Sequence, residues 1–180
     1  MIRFEFRVEK FVNAVAYLAE RRPGLTKLEA CKLLFFADKE HLVRYGRPVT
    51  SDQYWRLEHG PVPTKGLDLL RGRGSRAELA LLEKHVIVEG RGIRLRAPAS
   101  RGAFSKSDLA VLDQVIKRFA GLDATRLRRL SHQERAYRET KEKSPMHFDL
   151  FFGEGDSDQR MKALVMENQQ ARTALAPYRA

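Results

Sequence analysis

One stretch of this sequence constrains the fold most, because it contains a helix start, an apolar helix centre and a helix stop. Thr26 and Glu29 have the spacing of a capping box, in which two side chains satisfy backbone amides that the first helical turn leaves unpaired. Residues 33–37 are apolar on every face of a helix, which is typical of a helix enclosed by other elements. Gly46 is a suitable stop residue. We therefore predict a central buried helix over Lys27–Tyr45.

Residues 53–57, which follow this helix, are rich in aromatic side chains and have the alternation of a half-buried strand. The alternation places Trp55 and Leu57 on one face and Tyr54 and Arg56 on the other. We expect Trp55 to pack in the core, which leaves Tyr54 free to anchor a partner.

A turn containing one glycine and two prolines follows at residues 60–63, and its stiff backbone loses little entropy when a partner docks. The candidate partner-binding residues are therefore Tyr54, Arg56, Glu58, His59, Pro61 and Lys65. The alternative is that this turn is rigid only because folding requires it.

The remaining elements predict a predominantly helical α+β domain. Apolar residues at helical spacing indicate an amphipathic helix over residues 8–22 and a short helix through Leu67 and Leu70. Residues 86–89 and 93–96 alternate on either side of a glycine-containing break and predict a β-hairpin. Together with the strand around Trp55, this hairpin is expected to form a three-stranded antiparallel sheet.

The second half of the chain begins with helix caps. Ser105, Asp123 and Ser131 each precede helix-forming residues, which predicts one long and two short helices. Aromatic residues over 144–152 predict an extended segment that packs on the body. A polar loop and a helix over residues 159–176 follow. The predicted organisation is a domain over 1–152, with 153–180 part of it or appended to it as a partner-binding helix.

The net charge of +11 raises the question of nucleic acid. The excess is central, since residues 61–143 hold 19 basic and 10 acidic side chains. The candidate nucleic-acid contacts are Arg126, Arg128, Arg129, Arg135 and Arg138. Acidic residues are interleaved with them and no nucleic-acid-binding motif surrounds them, so a solvated helix face is the alternative and nucleic acid is not the expected partner.

No catalytic, cofactor or metal site is expected from the sequence. Asp38 and His41 share a helix face, but no third ligand has suitable spacing, so a polar surface turn is predicted there. Glu58 and His59 are neighbours on a strand and should point to opposite faces rather than act as an acid–base pair. The single cysteine, Cys31, is expected to be a packed thiol, which fits a reducing cytoplasm. No apolar run approaches the length of a membrane span and acidic residues interrupt the N-terminal stretch, so we expect neither secretion nor membrane insertion.

Four linked blocks carry a resemblance to a known family. They are KLLFFADKEHL at 32–42, YGRPVT at 45–50, Tyr54, and HGPVP at 59–63, with a weaker continuation to FDLFF at 148–152. At this spacing the sequence resembles the Panacea domain, the family of SocA-like antitoxins and phage-associated proteins, from about residue 8 to about residue 152. Ser51 stands where that family often has glycine.

This resemblance implies a cytoplasmic bacterial antitoxin that binds a cognate toxin, encoded in the adjacent reading frame, without acting as an enzyme. In some members of the family the antitoxin presents its toxin to a protease complex. Two other classes stay open at this point, which are a basic nucleic-acid-binding regulator of phage or toxin–antitoxin loci and an enzyme whose site the motifs do not reveal.

Overall fold

The computed structural model describes residues 1–175. Eight α-helices lie within this range, and they are α1 Val8–Arg21, α2 Lys27–Tyr45, α3 Thr64–Leu70, α4 Arg76–His85, α5 Lys106–Arg118, α6 Ala124–Gln133, α7 Arg135–Glu139 and α8 Asp156–Leu175. The strands of the same range are β1 Tyr54–Leu57, β2 Gly60–Pro63, β3 Val86–Glu89 and β4 Gly92–Leu95. The predicted helix-rich α+β fold is confirmed.

Helix α2 is the buried centre of the fold, as predicted. Glu29 donates its backbone N–H to the Thr26 hydroxyl (3.2 Å), and Thr26 donates its own N–H to the Glu29 carboxylate (2.9 Å), which completes the capping box. Gly46 ends the helix in the left-handed region with φ 71°. Phe35 is fully buried and meets Tyr54 and Phe151 edge to face, with ring centroids 5.3 Å and 5.5 Å apart. Helices α1, α3, α5, α6 and α8 pack around α2.

The predicted three-stranded sheet is wrong, because the strands form two separate antiparallel hairpins. Strand β1 turns back at once through Glu58 and His59, so that Leu57 lies opposite Gly60 on β2. The other edge of β1 is covered by residues 143–146. Lys143 donates its N–H to the Arg56 carbonyl (2.8 Å), and Arg56 donates its N–H to the Ser144 carbonyl (3.0 Å). The β3–β4 hairpin is therefore excluded from both edges of β1.

The β3–β4 hairpin itself, predicted from its alternation, is confirmed. The outer edge of β4 is covered by the residues that lead into α2. Ile93 donates its N–H to the Leu25 carbonyl (2.7 Å), and Lys27 donates its N–H to the Arg91 carbonyl (2.9 Å). This hairpin thus attaches to the start of the central helix.

The predicted faces of β1 are reversed in the structure. Tyr54 is 0% exposed, whereas Trp55 is 36% exposed. Alternation alone cannot say which face is inside, and the phenol of Tyr54 finds a buried acceptor in Asp38 at 2.9 Å. The expectations that Tyr54 anchors a partner and that Trp55 packs in the core are therefore both wrong.

The helix caps of the second half are only partly as expected. The Asp123 carboxylate caps α6 by accepting the Arg126 N–H (2.8 Å). Ser131 is not a cap, since it lies inside α6, where its hydroxyl donates to the Arg128 carbonyl (2.8 Å). Helix α7 instead begins after Glu134 without a side-chain cap.

The segment after α7 is partly helical rather than extended, with a 3₁₀ turn over Phe148–Phe151. Phe148, Phe151 and Phe152 are buried as predicted, while Leu150 is half-buried. Helix α8 begins at Asp156, three residues before the predicted start, and position 176 of the predicted helix lies outside the described residues. No helix within 1–175 combines the length and apolar character needed to cross a bilayer.

Helix α8 rests on the end of α2 and on the N-terminal segment. A Cβ at Gly46 would lie 3.2 Å from Val165, so the glycine permits close approach of the two helices. The Gln169 side chain accepts the Arg3 N–H (3.0 Å) and donates to the Arg3 carbonyl (2.7 Å). The division of the chain at residue 152 stays a prediction.

Candidate partner-binding surface

A buried carboxylate on α2 positions the start of the first hairpin. Asp38 accepts the Thr50 N–H (2.7 Å), the Thr50 hydroxyl and the Tyr54 hydroxyl (2.9 Å). It is fully buried, so the predicted surface turn at Asp38 is wrong. Burial raises the pKa of Asp38 to about 6. Ser51, next in the chain, adopts φ 61°, a left-handed conformation that favours the glycine often found in the resembled family.

His41 is also buried, but it shares no hydrogen-bond partner with Asp38. Its Nε2 lies 3.1 Å from Asp108, and its Nδ1 lies 2.6 Å from the Arg47 carbonyl oxygen. Although burial opposes it, hydrogen bonds from His41, Lys10 and Arg47 hold the pKa of Asp108 well below its usual range. This cluster joins the N-terminus of α5 to α1 and α2. Within residues 1–175 no group of three His, Cys, Asp or Glu side chains is placed to hold a metal ion.

A buried lysine fixes the far strand of the hairpin. Lys32 donates from Nζ to the Pro61 carbonyl (2.7 Å), and burial lowers the pKa of Lys32 to about 8. Gly60, next to Pro61, has a φ of 95°. A Cβ at this position would lie 2.8 Å from Lys32 Nζ and 2.8 Å from Ser131 Oγ. Only glycine fits this position without displacing a neighbour.

Asp52 links the hairpin to α3. Its carboxylate accepts the backbone N–H groups of Gly66 (2.6 Å) and Lys65 (3.2 Å) at the start of that helix. Burial, aided by the nearby Asp38 charge, raises the pKa of Asp52 to about 7. Sequence reasoning missed this residue, since no local spacing connects Asp52 to a helix that begins twelve positions later.

The hairpin packs on α6 and α7, which carry the predicted basic residues. Arg56 lies over the Tyr137 ring, 4.9 Å from its centroid, and donates to the carbonyls of Thr140 and Arg138. The Tyr137 hydroxyl donates to the Leu57 carbonyl (2.9 Å). The structure therefore brings together two sets of candidate residues that the sequence treated as separate.

Several of the predicted partner-binding residues serve the fold instead. Arg56 is half-buried by its contacts to α7, and Pro61 is buried with its carbonyl bound to Lys32. Glu58, His59 and Lys65 are exposed. Five of the exposed side chains at and beside the β1–β2 hairpin form what we call the hairpin face, and they are Trp55, Glu58, His59, Arg138 and Lys143.

The five candidate nucleic-acid contacts are not equally free. Arg128 is half-buried and donates to the Glu58 carbonyl (3.1 Å), and Arg135 is paired with Glu139 (2.9 Å). Arg126, Arg129 and Arg138 are exposed. Two of the five predicted nucleic-acid contacts, Arg128 and Arg135, are therefore already bound to other residues of the chain.

His132, which no sequence motif singles out, completes the packing under the β1–β2 hairpin. Its ring stacks on Tyr137 with centroids 4.2 Å apart and planes at 15°. Burial, together with the surrounding cations, lowers the pKa of His132. A stacked, neutral imidazole at this position fits a packing role.

The fold and this surface define a helical α+β domain that holds a short hairpin rigidly against two short helices. The family model described as antitoxin SocA-like, Panacea domain matches residues 31–137, which is more than half of the chain. The chain belongs to that family. A search of curated proteins finds no match, and a search of solved structures finds none either.

The matched range contains the buried network described above. Lys32, Asp38, Tyr54 and Gly60 all lie within it, and each of the four contributes to the contacts that hold the hairpin. These residues also belong to the blocks that carried the resemblance. These four residues of the pattern thus have a role in holding the β1–β2 hairpin.

Proposed function

We propose that this chain is an antitoxin that neutralises a cognate toxin protein by direct binding through the hairpin face. The observation that carries the proposal is the exposure of Trp55 on a strand that is paired along both edges. Large aromatic side chains on a rigid support are typical anchors of protein interfaces. The family description, which names an antitoxin, agrees with this class of function.

Rigidity supports the choice of this surface. The hairpin is fixed from behind by Lys32 and Asp38 and from the side by Tyr137. Few backbone torsions therefore remain to be ordered when a partner binds, and more of the contact energy contributes to affinity.

Charge suggests what the partner surface is like. Arg138 and Lys143 on the hairpin face are positively charged, and Glu58 is negatively charged. We expect the toxin to present an acidic patch around an apolar pocket that receives Trp55, because opposite potentials speed association and favour the correct partner. Neutralisation of this kind needs binding alone, so the proposal assigns the chain no reaction and no cofactor.

The test is co-expression with the product of the adjacent reading frame, followed by affinity measurement on purified proteins. We expect Trp55→Ala and Arg138→Glu each to weaken binding at least tenfold, as is usual for interface anchors. Lys106→Glu, an equivalent charge reversal at an exposed position of α5, is the matched control and should bind as the wild type does. Unchanged affinity of both hairpin-face variants, with melting temperatures preserved, would refute this placement of the site.

Two routes of neutralisation follow from binding. The antitoxin either blocks the toxin in a stable complex or delivers it to a protease, and the half-life of the toxin in cells separates them. A toxin that persists, inactive, beside its antitoxin indicates blocking. A toxin that disappears only when antitoxin and protease are both present indicates delivery.

A basic nucleic-acid-binding regulator is the second candidate. It is favoured by Arg126 and Arg129, which are exposed on α6 and form no salt bridge within the described residues. Binding of this class should fall steeply with the logarithm of salt concentration as counterions are released. Submicromolar affinity for duplex DNA at about 150 mM salt, lost in Arg126→Ala and Arg129→Ala, would favour this function, since non-specific binding is usually weaker.

A further inference from the structure

A groove lies between α3, α4 and β3, away from the hairpin face. Its volume is about 440 Å³, and apolar side chains from all three elements line it, including Leu69, Leu79, Leu82 and Val88. Leu79 and Val88 are half-buried, so part of this apolar surface reaches solvent.

The edge of β3 that borders the groove has free backbone groups. In the hairpin Val88 lies opposite Ile93, and Ile93 turns its N–H outward to the Leu25 carbonyl. Val88 and Ile93 are therefore a non-hydrogen-bonded pair of the antiparallel ladder. In such a pair the backbone N–H and carbonyl groups of both residues point away from the partner strand, so Val88 directs its N–H and its carbonyl outward from β3. Neither group has a hydrogen-bond partner within the part of the chain that the structure describes. The Val86 N–H, by contrast, donates to the Leu82 carbonyl at the end of α4.

The neighbouring strand edges are closed. Residues 143–146 cover β1, and residues 25–27 cover β4. On β2, Pro61 has no N–H and its carbonyl accepts from Lys32. Among the described strands, β3 is thus the one whose outer edge offers a donor and an acceptor to another chain.

The charges around the groove are mostly positive. Lys27, Arg71 and Arg96 line it, and Glu83 is its single acidic lining residue. None of the three cations forms a salt bridge within residues 1–175. Arg96 reaches across the groove wall, where its Nη1 donates to the Glu83 carbonyl (2.8 Å).

We propose that this groove binds an extended acidic segment of a partner protein. The segment adds to the β3–β4 hairpin as a third strand beside β3. The Val88 N–H and carbonyl would pair with its backbone. Alternate side chains would lie over Leu69 and Leu82, and acidic ones between them would face Lys27, Arg71 and Arg96. The groove shares no residue with the hairpin face, so either proposal can be refuted without the other.

The probe is a fluorescently labelled seven-residue peptide of alternating valine and glutamate, with its termini blocked, and its lysine counterpart is the charge control. We expect the acidic peptide to bind and the basic one to fail. Val88→Pro removes the outward N–H but no bond of the β3–β4 ladder, and should weaken binding about tenfold. Val88→Thr keeps the N–H and is the matched control, with affinity within about twofold of the wild type.

A second measurement on the wild-type chain guards against misfolding of the proline variant. On titration with the acidic peptide, the amide resonance of Val88 should shift and its exchange with solvent should slow. Equal binding of both peptides, or a shift confined to other residues, would overturn the proposal. So would a homodimer in light scattering that Val88→Pro dissociates, because a second copy of the chain would then occupy the edge.

Discussion

The substitution Gly60→Ala tests whether the hairpin depends on the contact between Lys32 and Pro61. A methyl group at this position would lie 2.8 Å from Lys32 Nζ and 2.8 Å from Ser131 Oγ. The lysine would have to move, and its 2.7 Å hydrogen bond to the Pro61 carbonyl would be lost in a fully buried site. The φ of 95° is an additional penalty for any residue with a Cβ.

The magnitude follows from these two effects. A left-handed backbone costs a residue other than glycine about 1–2 kcal/mol. Loss of a hydrogen bond to a charged group costs about 1.5–3 kcal/mol more. We expect Gly60→Ala to lower the free energy of unfolding by about 2.5–5 kcal/mol, which is a large part of the 5–15 kcal/mol typical of a domain. Urea unfolding followed by circular dichroism measures the loss.

The matched control is Gly90→Ala, in the turn of the other hairpin. Gly90 also has positive φ, at 56°, but a Cβ there meets no other atom within 4 Å. It should cost only the backbone term of about 1–2 kcal/mol. A double-mutant cycle with Lys32→Met isolates the clash, because the double variant should lose less than the sum of the two single ones. Equal losses for Gly60→Ala and Gly90→Ala, or strict additivity in the cycle, would refute the reasoning.

Three further predictions concern stability and composition. Phe35→Ala should lower the free energy of unfolding by about 3–5 kcal/mol through transfer and cavity terms, and melting curves that coincide with wild type would contradict the buried position of Phe35. Because the pKa of Asp52 is about 7 in the folded chain and near 3.9 in the unfolded one, the folded chain binds this proton more tightly and stability should fall as pH rises from about 4 to about 7. The Asp52→Asn variant should lack about 3 kcal/mol of this loss in the free energy of unfolding. The measurement compares the unfolding free energies of variant and wild type across the same pH range, and parallel curves of unfolding free energy against pH would rule the effect out. A chelator should leave the melting temperature unchanged, whereas elemental analysis that finds about one metal per chain would show the opposite.

The parts of the fold that the sequence predicts are those with local causes. The capping box at Thr26 and the stop at Gly46 act within one turn of the helix they bound, so both limits of α2 were predicted correctly. The β3–β4 hairpin was predictable for the same reason, since its two strands and its turn are contiguous.

The parts that could not be predicted depend on partners far along the chain. Alternation divided β1 into two faces, but the inner face was decided by Asp38, an acceptor sixteen positions before Tyr54. Polar side chains such as Lys32 and Asp38 are normally assigned to the surface, and only their partners make burial affordable. The cover of β1 by residues 143–146 has no strand pattern in the sequence.

The covered edge of β1 also has a consequence for synthesis of the protein. The chain emerges from the ribosome N-terminus first, and residues 143–146, which close that edge, are made about ten seconds after β1 at ordinary rates of elongation. During this interval the nascent hairpin has an open edge that other chains can pair with. Messages truncated before residue 143 should therefore yield aggregating chains, even though they encode all of the β1–β2 hairpin and the whole range matched by the family model.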